Sequence, residues 1–329
     1  MKIFPLNLVP YNSRIDFMRL RWASAVIFAL LTLGSLGMMV ANTFPGGRYD
    51  PRGTFAYALD FTGGTSVELR FARPADVDDV RARLADAGFG NAQVQTFGSG
   101  NDLLVRLQPH EGASQTDTSE TAGQVVQAAS VPGNPAQLRS SGYVGPQIGR
   151  ELAENGLYAF LFVLVGFGVY ISFRFEWKFA LAATATTIAD VVIVAGWFAV
   201  TRHEFDLTVL AGILSVLGYS INDKIVVFDR VRENFKSMRA TPREVLNASI
   251  NQTLSRTVIV SFVAFLTVLA LYLYGGGSLK GMAESQMIGI VLGTLSSIFV
   301  ACPLLLWLGV SKQDLLPKAR DEAALARRP

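Results

Sequence analysis

The sequence predicts a polytopic α-helical membrane protein with six transmembrane helices and a small extracytoplasmic α+β domain between the first and second helices. Half of its 329 residues are hydrophobic, only 17% are charged, and the mean hydropathy is +0.35. A soluble domain usually has about 25% charged residues. Six apolar runs approach the roughly 20 residues that a helix needs to cross a bilayer. These runs account for the unusual composition.

The chain divides into ten main segments at the ends of these runs. The predicted transmembrane helices span residues 22–41, 156–173, 179–201, 207–228, 257–274 and 286–310. The segments around them are residues 1–21, 42–154, 229–255 and 311–329. The first run is longer than the roughly 7–15 residues of a signal-peptide core, and no clear Ala-x-Ala site precedes Asn42, so we expect this helix to be retained.

The distribution of positive charge predicts the orientation. Lysines and arginines gather before the first helix, between the second and third, between the fourth and fifth, and after the sixth. The short alternate loops hold only Arg202 and Lys280. Because cytoplasmic loops carry the excess of positive charge, we expect both termini in the cytoplasm and residues 42–154 on the opposite face.

Residues 42–154 have the pattern of a small α+β domain. Alternating apolar side chains predict strands at residues 54–60, 65–71, 92–97, 103–107 and 138–144. A helix is predicted from a first turn at Pro74 to Gly88. The polar stretch 112–135 predicts either a short helix at 120–129 or no fixed structure, because it has little apolar surface to offset the entropy of ordering.

Residues 229–255 are predicted to form a cytoplasmic loop that contains one helix. Thr241, Pro242 and Glu244 have the spacing of a helix N-cap, a first-position proline and a capping-box glutamate. We expect an amphipathic helix that lies in the membrane interface and ends before Arg256.

Glycines within the predicted spans favour close approach of neighbouring helices, which drives packing in lipid. The candidates form three pairs: Gly166 and Gly168, Gly212 and Gly218, and Gly289 and Gly293.

An acid lies inside the fourth predicted span. A charged side chain near the bilayer centre costs at least about 2.5–3.5 kcal/mol to insert, so such groups usually mark a relay, an ion path or a substrate site. Asp223 lies six residues before Asp229, or about 9 Å inside the interface. Arg256, at the start of the fifth span, is a permanent cation that can alternately pair with Asp223 and leave it. This pattern predicts a proton relay, and the alternative is a structural ion pair.

Two further ionisable residues lie in the apolar spans. Asp190 is close to the middle of the third span. It could pass protons to Asp223, or it could be a protonated acid that binds a neighbouring helix. Lys224 points about 100° away from Asp223 around the helix, so we expect its long side chain to snorkel toward the cytoplasmic headgroups.

Four motifs together carry a resemblance to a known family. The chain resembles the SecF family of protein-export membrane proteins, accessory subunits of the Sec translocase within the resistance-nodulation-division superfamily. The motifs are LDFTGGT at 59–65, VGPQIG at 144–149, GYSINDKIVVFDRVREN at 218–234 and NQTLSRT at 251–257. Their order and spacing agree with the six-helix topology over nearly the whole chain.

The resemblance implies a subunit that pairs with SecD and uses the proton motive force to help the SecYEG channel move and release exported, unfolded preproteins. Further implied partners are YajC and YidC. The implied location is the bacterial inner membrane, with the large domain in the periplasm. In the family, the acid and the arginine of the last two motifs carry protons, and these map onto Asp223 and Arg256, with Asp190 as a further relay candidate.

The first two motifs suggest mechanical roles. Paired glycines permit backbone angles that other residues avoid, and an acid beside them can bind the turn amides. Structural or coupling roles are therefore expected for seven residues: Asp60, Gly63, Gly64, Gly145, Pro146, Gly149 and Gly218. The chain departs from the family in two places, with Ala189 where a histidine is usual and Lys224 where a small polar residue is common.

Other functional classes have less support in the sequence. A self-contained exporter of lipids or drugs would need about twice as many helices, or a homodimer. An intramembrane aspartyl protease needs two acids that share a proton, and its Gly-x-Gly-Asp motif is missing. Neither glycine pair is followed by a Walker lysine, which disfavours ATP hydrolysis. We expect no enzymatic activity.

No cofactor is expected, and the proton is the predicted coupling ion. Cys302 is the one cysteine, and the two histidines, His110 and His203, lie far apart in sequence, so a metal site has little support. The net charge of +3 follows from the topology and does not indicate nucleic-acid binding.

Overall fold

The computed structural model describes residues 15–50, 53–90, 92–97, 101–107 and 115–312. In this part of the chain, six helices are long and apolar enough to cross a membrane, and a small α+β region lies between the first two of them. The predicted fold class is therefore confirmed. Most of the two terminal segments and His110 lie outside the described residues.

The elements are numbered here in chain order. The helices are α1 Arg21–Thr43, α2 Leu59–Thr62, α3 Val77–Asp86, α4 Gln115–Ala129, α5 Pro146–Arg174, α6 Trp177–Thr201, α7 Leu207–Ser237, α8 Pro242–Tyr274, α9 Gly277–Ser296 and α10 Cys302–Trp307. A π-helical turn, Ser297–Ala301, joins α9 to α10. The strands are β1 Ala56–Tyr57, β2 Gly64–Arg70, β3 Gln93–Phe97, β4 Asp102–Leu107, β5 Gln137–Val144 and β6 Glu204–Phe205.

The α+β domain is built on an antiparallel sheet with the strand order β3-β4-β2-β5. Thr65 of β2 lies opposite Leu107 of β4 and Tyr143 of β5. Side chains from the sheet, α3 and α4 form a separate buried core that includes Val67 and Leu84. The domain therefore has its own apolar core, independent of the membrane helices.

Two predictions in this domain need correction. The strand expected at residues 54–60 is reduced to β1, because the chain turns at Ala58 into the short helix α2. The turn of Pro74 lies outside α3, whose N-cap is Asp76; this side chain accepts a hydrogen bond from the Asp78 amide at 2.8 Å. The stretch 112–135, for which the sequence left two alternatives, contains the helix α4.

The prediction of a separate interfacial helix in residues 229–255 is wrong. Helix α7 continues to Ser237, and α8 begins at Pro242 and runs without a break into the fifth span. The predicted capping box at Thr241 is present at the start of α8. The apolar side chains of these first turns, including Leu246 and Ile250, are fully buried in the protein core. That face therefore packs against protein and cannot lie in lipid headgroups.

Glycines bring α9 against α7. A Cβ at Gly289 would collide with the Val216 side chain, and one at Gly293 would lie 3.2 Å from the Ser220 Cβ. Gly166 and Gly168 behave differently from the prediction, because no described atom lies within 4 Å of the position of a Cβ at either glycine. They do not support helix contacts within this chain.

Candidate functional site

A fully buried polar cluster lies where α6, α7 and α9 meet. The Oδ2 atom of Asp190 receives hydrogen bonds from the Ser220 hydroxyl at 2.5 Å, the Lys224 ammonium at 2.8 Å and the Ser296 hydroxyl at 2.8 Å. Asp190, Ser220, Lys224 and Ser296 all have zero exposed surface. We call these four residues the Asp190 cluster.

The predicted snorkelling of Lys224 is wrong. Its ammonium turns inward and has an acceptor for each of its three protons: Asp190 Oδ2 at 2.8 Å, Ser220 Oγ at 2.5 Å and the Ser220 carbonyl oxygen at 3.5 Å. The sequence analysis did not expect Lys224 to pair with Asp223, because adjacent residues point about 100° apart around a helix. A partner on another helix was the possibility that sequence reasoning missed. The signal for it was an acid, Asp190, in a neighbouring span.

Asp223 lies on a different face of α7, toward α8. It is 4% exposed, and its Oδ2 atom is 3.5 Å from the Ser261 hydroxyl of α8, which could donate a long hydrogen bond. Ser261 is held in turn by the Thr294 hydroxyl at 2.7 Å. The neighbouring residues Asp223 and Lys224 therefore belong to separate polar groups on two faces of one helix.

Arg256 lies on α8, on the N-terminal side of Ser261, and its side chain is exposed. It lines a cavity of about 370 Å³ together with Asp229, Arg230 and Glu233. Arg256 and Asp223 form no ion pair in the described part of the chain. The charges of Lys224 and Arg256 nevertheless both act on the Asp223 carboxylate. The two predicted relay residues are thus on facing helices but are not paired in this conformation.

A second cavity lies on the other side of Asp223 along the same pair of helices. Its volume is about 270 Å³, and Ser215 and Tyr219 of α7 and Thr267 of α8 line it. Asp223 comes after Tyr219 and before Asp229 along α7, so the carboxylate lies between the levels of the two cavities. The arrangement places an ionisable group and the Ser261 hydroxyl between two cavities, and a cation, Arg256, lines one of them.

The glycine pair of the first motif joins the domain to the membrane helices. Gly63 and Gly64 have φ angles of +70° and +127°, and a Cβ at Gly64 would collide with the Leu107 carbonyl oxygen. A Cβ at Gly149 of α5 would lie 2.9 Å from the Gly63 nitrogen. Asp60 accepts a hydrogen bond from the Leu207 amide, the first residue of α7, at 3.3 Å. The motif therefore contacts the start of two membrane helices.

The other residues for which coupling roles were expected lie at the start of α5 or against it. Gly145 is the N-cap of α5 and Pro146 is its first residue. A Cβ at Gly218 would lie 3.9 Å from the Phe167 ring of α5, an ordinary packing distance. Gly218 thus faces α5.

A charged contact between the domain and the loop before α7 was not predicted from the sequence. Arg106 of β4 forms an ion pair with Glu204 of β6, and Gln95 of β3 donates a hydrogen bond to Glu204 at 2.7 Å. Burial lowers the pKa of the Arg106 guanidinium to about 10, while the nearby acids Asp206 and Asp60 oppose that shift. β6 also pairs in parallel with β1. Strands of two residues leave no periodic pattern, so this contact had no signal in the sequence.

The two acids inside the spans do not have the geometry of an aspartyl protease. Asp190 and Asp223 have separate partners, whereas the two acids of an aspartyl protease share one proton. Within the described ranges, no group of three or more His, Cys, Asp or Glu side chains could hold a metal ion.

Comparison with known proteins identifies relatives along nearly the whole chain. Residues 125–311 match the family model of the protein export membrane protein SecD/SecF, C-terminal, and residues 55–75 match the SecD/SecF GG motif. The protein translocase subunit SecF of Pseudomonas aeruginosa is 42% identical over 309 residues, which cover 93% of this chain and 96% of that protein. SecF of Escherichia coli O157:H7 is 39% identical over 312 residues, 94% of this chain and 93% of that protein.

Solved structures agree with these relatives. The crystal structure of SecDF, a translocon-associated membrane protein from Thermus thermophilus, matches 93% of this chain with a TM-score of 0.79 and 35% identity. SecDF in its super-membrane-facing form matches with a TM-score of 0.64 and 36% identity. This chain spans 40% of the length of each of those two chains.

Proposed function

Because this chain belongs to the SecD/SecF family of protein export membrane proteins, we propose that it is a SecF-like subunit that works with SecD and uses the proton motive force. In this role it promotes the translocation and release of unfolded preproteins through the SecYEG channel. It resides in the bacterial inner membrane with both termini in the cytoplasm and the α+β domain in the periplasm. YajC and YidC are further candidate partners.

The position of Asp223 is the observation that carries this proposal. The acid is almost fully buried, yet it lies between the levels of two cavities, one lined by Tyr219 and the other by Arg256. A carboxylate in this position can take a proton from the periplasmic cavity and release it to the cytoplasmic one. Arg256 can pair with the ionised carboxylate once α8 moves closer.

The energy available from the membrane potential suits a conformational change. One elementary charge that moves through 100 mV releases about 2.3 kcal/mol. Two conformations of a protein commonly differ by only a few kcal/mol, so one or two protons can change which of them is populated. The contact between Gly149 of α5 and Gly63 then offers a route by which helix movement reaches the α+β domain.

A self-contained exporter of lipids or drugs is the less favoured alternative. Six spans are about half of what such a transporter needs in one chain. The matched SecDF chain is more than twice as long as this one, as expected if the rest of the assembly is supplied by a separate SecD subunit. An enzymatic role has no support in the named relatives, which are translocase subunits.

The test replaces the relay acid. We expect Asp223→Asn, expressed with SecD, to abolish the part of preprotein export that depends on the proton motive force, since an amide cannot take and release the proton. Export is measured in inverted membrane vesicles with and without an uncoupler.

The matched control is Asp86→Asn, the same chemical change on an exposed position of α3. It should leave export unchanged. Retention of uncoupler-sensitive export by Asp223→Asn would refute the relay.

A further inference from the structure

We propose that Lys224 and Asp190 form a permanent, oppositely charged pair that locks α6, α7 and α9 into one block, so that Asp190 does not carry the transported proton. The inference deepens the proposed function and rests on it, because it separates a fixed pair from the acid that titrates. It also assigns Lys224 a positioning role that the motifs did not suggest.

Three hydrogen-bond donors converge on one oxygen of Asp190. An ammonium has three donors and no acceptor, so Lys224 donates a hydrogen bond to Asp190 Oδ2 at 2.8 Å. The hydroxyls of Ser220 and Ser296 donate to the same oxygen, at 2.5 Å and 2.8 Å. The other oxygen, Oδ1, has no hydrogen-bond partner among the described residues. Hydrogen bonds between an ammonium and a carboxylate are stronger than those between neutral groups, so Oδ2 is the oxygen through which the pair is held.

The two charges of the pair are buried, so each depends on the other for compensation. Both side chains have zero exposed surface. Removal of one partner of a buried ion pair leaves an uncompensated charge in the interior, whereas removal of both does not.

The helix packing around the pair is tight enough to hold it. Gly293 lets α9 approach α7 at Ser220, with a Cβ position 3.2 Å from the Ser220 Cβ. Ser296, one turn further along α9, is then able to reach Asp190. The pair thus joins three helices through direct contacts with one carboxylate.

The fixed block leaves α8 as the helix that responds to Asp223. The hydroxyl next to Asp223 belongs to Ser261, and the cation of the relay is Arg256, both on α8. None of the residues of the Asp190 cluster lies on α8. A change of charge at Asp223 would therefore move α8 relative to the block of α6, α7 and α9, in which the charges of Asp190 and Lys224 compensate each other.

The experiment is a double-mutant cycle on the full chain expressed with SecD. The variants are Lys224→Met, Asp190→Asn and the two combined, and the readouts are the melting temperature in detergent and uncoupler-sensitive export in vesicles. We expect each single variant to lower the melting temperature by about 5–10 °C, because each leaves one buried charge unpaired. The combined variant should recover more than half of that loss.

Export distinguishes a fixed pair from a relay. We expect the combined variant to keep at least half of the uncoupler-sensitive export rate. A stable combined variant that has lost this export would overturn the inference, because the pair would then contribute to export beyond holding the helices together. Additive losses of melting temperature would overturn it too, because they would show that the two charges do not compensate each other.

The proposed function is tested separately. Failure of the relay would appear as uncoupler-sensitive export in Asp223→Asn, whatever the outcome at Lys224 and Asp190. The single Lys224→Met variant also guards against a simple folding defect, because only a charge mechanism predicts that a second substitution restores stability.

Discussion

Two adjacent residues on α7 have opposite roles, and the difference comes from the direction in which each side chain points. Lys224 faces α6, where Asp190 accepts a hydrogen bond from it, and the Ser220 hydroxyl of α7 is a second acceptor. Asp223 faces α8, where Ser261 is its neighbour and Arg256 is exposed nearby. A helix turns about 100° per residue, so neighbouring residues always address different surroundings. Adjacent positions in the sequence therefore do not make these two charges a pair.

At this scale the charge of Arg256 can be tested directly. We expect Arg256→Gln to lower uncoupler-sensitive export about 10- to 150-fold, because a hydrogen bond to a charged group contributes about 1.5–3 kcal/mol. Arg256→Lys should keep part of the rate, since the charge remains while the planar fork is lost. Initial export rates in vesicles measure both effects.

Arg243→Gln is the control for this prediction. It makes the same change on the same helix, at a residue that forms an exposed ion pair with Asp16 at 3.0 Å. Exposed pairs contribute little to stability, so its export should equal that of the unmodified chain. A similar loss in Arg243→Gln and Arg256→Gln would point to a general effect of charge on α8.

At the scale of whole elements, glycine positions decide which helices touch. Gly289 and Gly293 of α9 face α7, whereas Gly166 and Gly168 of α5 have no described atom near the Cβ position. Gly289 and Gly293 are four residues apart and share one helix face, whereas Gly166 and Gly168 are two residues apart and do not. The spacing of the glycines therefore agrees with which pair is used within the chain.

This difference predicts the effect of one added methyl group. We expect Gly289→Ala to destabilise the protein by about 1–3 kcal/mol, because its Cβ would collide with the Val216 side chain in a packed interface. Gly166→Ala should cause no loss, because the position is open and alanine favours the helix by about 1 kcal/mol. Melting temperatures of the separately purified full chain in detergent test both variants, and equal losses would contradict this packing.

The extent to which the elements could be predicted follows from how strongly each pattern repeats. Long apolar spans and the alternation in β2 are repeated signals, and both elements are present where expected. The interfacial helix was misplaced because its apolar face, with Leu246 and Ile250, has the same appearance whether it meets lipid or protein. The inward turn of Lys224 could not be predicted, since it depends on how α6 and α7 pack.

At the scale of the whole molecule, the α+β domain and the membrane helices are joined at a small number of places. Asp60 binds the first amide of α7, Gly63 packs against Gly149, and β1 pairs with β6 beside the Arg106–Glu204 ion pair. If protons drive export by moving the domain relative to the helices, some of these contacts must change during each cycle. The pairing of β1 with β6 covers only two residues of each strand, so it is a short contact that can separate.

A reversible cross-link across this pairing tests the idea. Ala56 of β1 lies opposite Glu204 of β6, so the double variant Ala56→Cys and Glu204→Cys places two thiols on paired residues. We expect oxidation to stop uncoupler-sensitive export and a reducing agent to restore it, because the disulfide holds the domain against the loop before α7. The native Cys302 is fully buried in the bundle and cannot compete for the new thiols.

Two controls make the result specific. The reduced double variant reports the effect of losing Glu204 itself, and a cysteine pair at Glu68 and Ser140 cross-links β2 to β5 inside the domain. The second pair should leave export unchanged in both redox states, because the domain can still move as one body. The oxidised β1–β6 variant could instead export as fast as the same variant with its thiols reduced. In that case the domain does not separate from the helices at this contact, and movement must pass through the junction of Gly63 with α5.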